Sequence, residues 1–276
     1  MFTKLLAYEI RSRYRTDARS FGAFIAVIAV AAGIVAAGLP GISGSTAVLA
    51  YALCALTPVA CAIAALADYW KTLYGQRGYF TMSLPISGWV IFWAKITRIA
   101  IECLLALALA VGGIIAVGGI IAVASAAAWS DGISLAEYTA GPRSLVAGIP
   151  TSTVVLMIAA QLILAMSWGV QGCAVMSIGA QGRFNHLGFG APIIGFVLVY
   201  IVNQVLSTIG TFFLPLSVTT DGHFSTEIMW TSYLATMGTE GHPNVIGIGS
   251  YVLVPLFALI LGVWASSSIE KHTSLR

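Results

Sequence analysis

The 276-residue chain is 59% hydrophobic and 8% charged, with a mean hydropathy of +0.94 and a formal net charge of +3. Soluble domains carry about 25% charged residues, so this composition excludes a water-soluble monomer. It also offers no basic domain for nucleic acid, and it predicts an all-α polytopic membrane protein counted in spans of ~20 residues.

Residues 1–20 place Phe2, Leu5, Leu6 and Ile10 at helical spacing, with Lys4, Arg11, Arg15 and Arg19 elsewhere around the helix. Such a segment is expected to lie on the inner membrane surface, cations toward anionic lipid. Residues 21–276 then read as a six-helix transmembrane domain, with spans at about 21–39, 45–67, 99–124, 151–178, 188–214 and 245–268. The first apolar run is longer than a signal-peptide core and follows an arm containing Glu9 and Asp17; it is expected to be retained as a helix.

Six spans put both termini on one side, and basic residues in short loops stay cytoplasmic. That side collects twelve basic and five acidic residues, against one basic residue, Arg143, and five acidic ones opposite. Both termini are therefore predicted inside a plasma membrane. Cys54, Cys61, Cys103 and Cys173 all fall within spans and read as free thiols, since disulfides favour oxidised exterior loops.

Between the second and third spans lies a polar, aromatic island, residues 68–95. Its start extends the second helix, Gly75 and Gly78 break it, and Leu84-Pro85 forces a turn. Ser87 then caps a helix leading into the third span. In that span AVGGII occurs twice in succession, pairing Gly112 with Ala116 and Gly118 with Ala122 for close helix packing. A short helix is expected near 135–138 in the second outer loop. In the third outer loop, Ser225 is expected to cap a helix running to about Met237, with Gly238 as its stop.

Several chemistries lack their residues. The four lysines follow Thr3, Trp70, Ala94 and Glu270, so none belongs to a P-loop, and no extramembrane stretch reaches the size of a nucleotide-binding domain. His223, Glu227 and His242 are too loosely spaced for a zinc site. Glu102 lies i+4 from Arg98, which reads as an ion pair rather than a proton relay. Asn203, Gln204 and Ser207, with Gln161 and Gln171, are uncharged polar residues that either line a path or hydrogen-bond between helices. The chain is not expected to be an enzyme.

The run YGQRGYFTMSLPISGWVIFWAK, residues 74–95, resembles the segment between the second and third helices of ABC-2-type permeases, the membrane subunits of one class of ATP-binding-cassette exporters. The basic opening LLAYEIRSRYRT is similar to that family's start, and the six-span layout extends the likeness over nearly the whole chain. The resemblance implies a cytoplasmic coupling helix docking on a separate ATPase subunit, drawn from Tyr69, Trp70, Lys71, Leu73, Tyr74, Gly75, Arg77, Gly78 and Tyr79. It implies a pathway between two permease subunits, homodimer or heterodimer, faced by helices two and five through Thr57, Asn203, Gln204 and Ser207. It also implies an outer gate at Met229, Trp230 and Tyr233. The chain would bind no cofactor itself, ATP and Mg belonging to the partner, and the cargo would be a drug, antimicrobial peptide or lipid-like molecule. Two other readings are an ATP-independent carrier or channel and a non-transporting immunity or sensor protein.

Overall fold

The computed structural model describes residues 1–37, 43–75, 78–83, 85–128, 148–188, 190–237 and 242–271. The expected helix near 135–138, the turn at Pro40-Gly41, Arg77 and Gly238 lie outside these residues. The long helices are α1 (Phe2–Ala36), α2 (Ser43–Leu73), α4 (Gly88–Ala128), α5 (Thr151–Gly179), α6 (Gly190–Phe213) and α8 (Ser250–Lys271). Short elements intervene: α3 (Gly78–Ser83), a 3-10 turn (Gly182–Leu187), β1 (Ser217–Thr219), β2 (Phe224–Ser225), α7 (Met229–Thr236) and β3 (Val245–Gly247).

Among the described residues, six helices are long and apolar enough to cross a membrane. Their outward faces carry large apolar side chains, as Ile193, Val197, Ile201 and Val205 do along α6. A soluble monomer does not tolerate so much exposed hydrocarbon, whereas acyl chains solvate it. Pro58 and Pro255 sit inside α2 and α8, as apolar spans permit when neighbouring groups take up the freed carbonyl.

The helices overrun the spans read from hydropathy. The N-terminal arm and the first span form one helix of 35 residues, about 52 Å long against a hydrocarbon core of ~30 Å. No break separates a surface-lying arm from a crossing segment. Helix α4, at 41 residues, begins at Gly88, where the helix after Ser87 was expected, and runs without a break through the third span.

The chain divides into two compact units. In the unit formed by Met1–Asp68 and Thr97–Leu145, Ile28 and Ala31 of α1 pack with Ala50 and Cys54 of α2 and Val117 of α4. The first expected pair of the repeat in α4 packs one residue later, while Gly118 of the second is buried as expected. Gly112 and Ala116 are exposed, while Gly113, Val117 and Gly118 are buried, and a Cβ on Gly113 would lie 2.8 Å from the Cys54 sulfur.

The second unit, Tyr69–Ile96 with Val146–Arg276, is built on α8. Its buried residues Val254, Ala258, Leu261, Ala265 and Ile269 recur every three or four positions along one helix face. Helix α6 meets the start of α8 backbone to backbone, since a Cβ on Gly210 would lie 2.6 Å from the Ser250 nitrogen. Between these helices the chain forms an antiparallel sheet in the order β2-β1-β3. The predicted helix from Ser225 is therefore shortened: Ser225 pairs with Ser217 in the sheet, and α7 starts only at Met229. Asp221-Gly222 supplies the turn between β1 and β2, with Gly222 at φ 81°, a backbone region that favours glycine.

Candidate functional site

The hook between α2 and α4 is held by its own chain ends. Helix α2 stops where the Tyr74 and Gly75 amides both donate to the Trp70 carbonyl, at 2.8 and 3.2 Å. A Cβ on Gly75 would come 2.7 Å from the Lys71 carbonyl, so this turn requires glycine. The Gly78 amide then donates to the Gly75 carbonyl at 2.8 Å, and α3 follows. Across the hook, the Thr81 hydroxyl donates to the Thr72 carbonyl (3.2 Å) and the buried Lys95 ammonium donates to the Thr72 hydroxyl (3.1 Å). The Ile91 amide donates to the Ser87 carbonyl at 3.2 Å, the first helical bond of α4, which puts Ser87 at the cap position expected of it.

A buried hydrogen-bond chain runs from the hook into the unit. The Tyr69 hydroxyl lies 2.6 Å from the Ser177 hydroxyl, which itself donates to the Cys173 carbonyl at 2.9 Å. A serine has one proton to give, so Tyr69 is the donor. The Ser268 hydroxyl donates to the Ser177 carbonyl (3.3 Å), and the Gln181 amide donates to the Ser268 hydroxyl (2.8 Å). Tyr69 is further packed edge-on to Tyr74, and Trp70 lies against Tyr74 at 5.2 Å between ring centroids. Burial pushes the Tyr74 phenol above its ordinary range, keeping it neutral. Where α4 begins, a Cβ on Gly88 would lie 2.8 Å from the Ser266 carbonyl and 2.9 Å from the Glu270 nitrogen. Phe92 and Trp93 close over Gly262 of α8.

The residues implied in docking thus divide. Tyr69, Leu73, Tyr74 and Gly78 are buried, Trp70 and Gly75 are half-buried and Lys71 is exposed. The backbone of Tyr79 falls in α3, and Arg77 is outside the described residues.

The residues implied in a pathway are divided between the two units. In the first unit, the buried Thr57 hydroxyl donates to the Leu53 carbonyl of its own helix at 2.8 Å. In the second, Asn203 is buried and exchanges two hydrogen bonds with Gln171, at 2.5 and 3.3 Å. Gln171 also donates to the Val254 carbonyl at 3.3 Å, joining α5, α6 and α8. Gln204 is exposed and donates to the Tyr200 hydroxyl at 2.9 Å, while Ser207 is half-buried. Of the two uses foreseen for these polar groups, Asn203 and Gln171 serve helix pairing. Replacing Gln171 with Leu should therefore destabilise the protein by about 1–3 kcal/mol by stranding the Asn203 amide. The double replacement with Asn203→Leu should restore most of that in thermal unfolding in detergent, and a purely additive result would exclude the pairing.

Met229, Trp230 and Tyr233 lie on α7 beside the end of α6. Trp230 packs on Phe212 and Phe213 at 6.1 and 5.6 Å and stacks with Tyr233 at 6.2 Å, while the Gly247 amide of β3 donates to the Met229 sulfur at 3.4 Å.

A buried ion network in the first unit was not apparent from spacing alone. Arg98 donates to Glu102, as its i+4 position suggests, and also to Asp68, each at 3.1 Å. Asp68 in turn takes Arg13 of α1, which lies 3.5 Å from Asp17. The available signal is that Asp68 and Arg98 bracket the hook, at the end of one apolar run and the start of the next. No protein-family model, no curated protein and no solved structure matches the chain. The functional reading therefore rests on residues and geometry.

Proposed function

We propose that the chain is the permease subunit of an ATP-binding-cassette exporter, carrying a drug, antimicrobial peptide or lipid-like molecule and driven by a separate cytoplasmic ATPase. It works in the plasma membrane as a homodimer or heterodimer, with both termini and the hook in the cytoplasm. The observation that carries this reading is the construction of the hook. A coupling element must be stiff to pass displacement on, and this one is tied to α5 through Tyr69–Ser177 and seated on α8 at Gly88.

In this reading Tyr69, Leu73 and Tyr74 anchor the hook from beneath, and Lys71, Gly75, Arg77 and Tyr79 form the docking face. The alternatives, an ATP-independent carrier and a sequestering immunity protein, need no such rigid attachment. The chain should co-purify with a P-loop ATPase. Lys71→Glu and Arg77→Glu should each weaken that association about tenfold, the effect of losing ~1.4 kcal/mol, at unchanged abundance in the membrane. Unaltered association of the ATPase with both variants would remove the coupling assignment.

A further inference from the structure

The second unit contains two adjoining cavities of opposite character. One, about 360 Å³, is bounded by α5, α6, α8 and the 3-10 turn, with Val175, Ile178, Val199, Phe257, Leu261 and Trp264 among its walls. Its lining is apolar throughout, and its size falls within the range of small-ligand sites, ~300–1,000 Å³. The other, about 310 Å³, is lined by Gln181, Arg183, Ser267 and Ser268. Trp264 lines both, so the two lie against one indole.

The 3-10 turn holds the junction. Phe184 faces the apolar cavity, and the Arg183 guanidinium lies over its ring, 4.6 Å from the centroid. Stacking fixes the direction of a planar cation that would otherwise sample many rotamers. Among the described residues Arg183 has no carboxylate partner, so its charge remains available to an anion at the mouth of a hydrocarbon-lined slot.

We propose that these cavities bind one anionic phospholipid drawn from the bilayer. An acyl chain occupies the apolar cavity, and the headgroup phosphate accepts hydrogen bonds from the Arg183 guanidinium. The two halves of the site answer different parts of the ligand. A free phosphate would leave the slot empty, and a neutral hydrocarbon would leave the cation unused. A single arginine suits a singly charged phosphodiester rather than a multiply phosphorylated headgroup.

The test is native mass spectrometry of detergent-purified full-length protein exposed to equal amounts of phosphatidylglycerol and phosphatidylcholine. The parent should retain one phosphatidylglycerol. Arg183→Gln should lower that retention about tenfold, the effect of losing a charged hydrogen bond worth ~1.5 kcal/mol, and lower phosphatidylcholine, whose choline offsets its phosphate, by less. Val199→Phe, which fills the slot, should lower retention of both lipids. Millimolar inorganic phosphate should not displace the lipid. Equal retention of the two lipids by the parent, undiminished phosphatidylglycerol on either variant, or displacement by phosphate would each overturn the proposal. Arg183 is exposed and outside the packed interior, so its replacement tests binding without threatening the fold.

Discussion

Arg98→Met should destabilise the protein by about 3–5 kcal/mol, the cost of leaving buried charge without its partner. Arg98 stands between two carboxylates, Asp68 and Glu102, and the side chains of all three are at most 10% exposed. Removing the cation leaves the two acids near each other with little water to screen them. Arg13 still reaches Asp68, but Glu102 loses the guanidinium 3.1 Å from its carboxylate. The loss should appear as a lower thermal midpoint in detergent. Adding Asp68→Leu and Glu102→Leu to the same chain should recover most of the deficit, because an apolar set of similar volume replaces a buried ionic one at little cost. If the single variant unfolds at the parent's midpoint, the network contributes nothing.

The other large effect is steric. Gly88→Ala should cost about 1–3 kcal/mol, as overpacking does in a filled site, and Gly88→Val more. The obstruction is main chain: the Ser266 carbonyl and Glu270 nitrogen of α8 lie within 3 Å of the added carbon, and neither can rotate away. Gly119, in the same helix, has no atom within 4 Å of an added Cβ. Gly119→Ala should therefore stabilise by up to ~1 kcal/mol through helix propensity. Opposite signs from one substitution type at two positions of α4 can be read in a single set of melting curves. If Gly88→Ala is as harmless as Gly119→Ala, α4 does not start against α8 as described.

Hydropathy located the long helices, because 18 or more apolar residues in succession leave few other structures. It placed several ends too far inward. Lys95 ends the short helix expected after Ser87 and Arg98 precedes the expected third span, yet both are buried in one continuous α4, paired with Thr72 and with two carboxylates. A charge window cannot register that a cation has found partners on another helix. The same blindness hid the Arg13–Asp68–Arg98 connection, which joins residues distant in sequence. The three-stranded sheet was legible and missed: Asp221-Gly222 is a strong hairpin signal, but Met229, Tyr233 and Met237 at helical spacing point toward one longer helix. Asn203 and Gln204 are neighbours with unlike surroundings, since one turns toward Gln171 and the other outward. Adjacent residues on a helix point about 100° apart, and only packing decides which of them is enclosed.

The contact of Gly210 with Ser250 has a consequence for how this protein can change. The chain leaves the bundle and re-enters it at nearly one point, so residues 211–248 form a closed excursion whose ends the helices already hold together. The entropy of bringing those ends together grows only slowly with loop length, about 0.6 kcal/mol per doubling. The excursion can therefore lengthen, shorten or exchange its contents while α6 and α8 keep their places. The segment between α6 and α8 is in this sense a replaceable cassette.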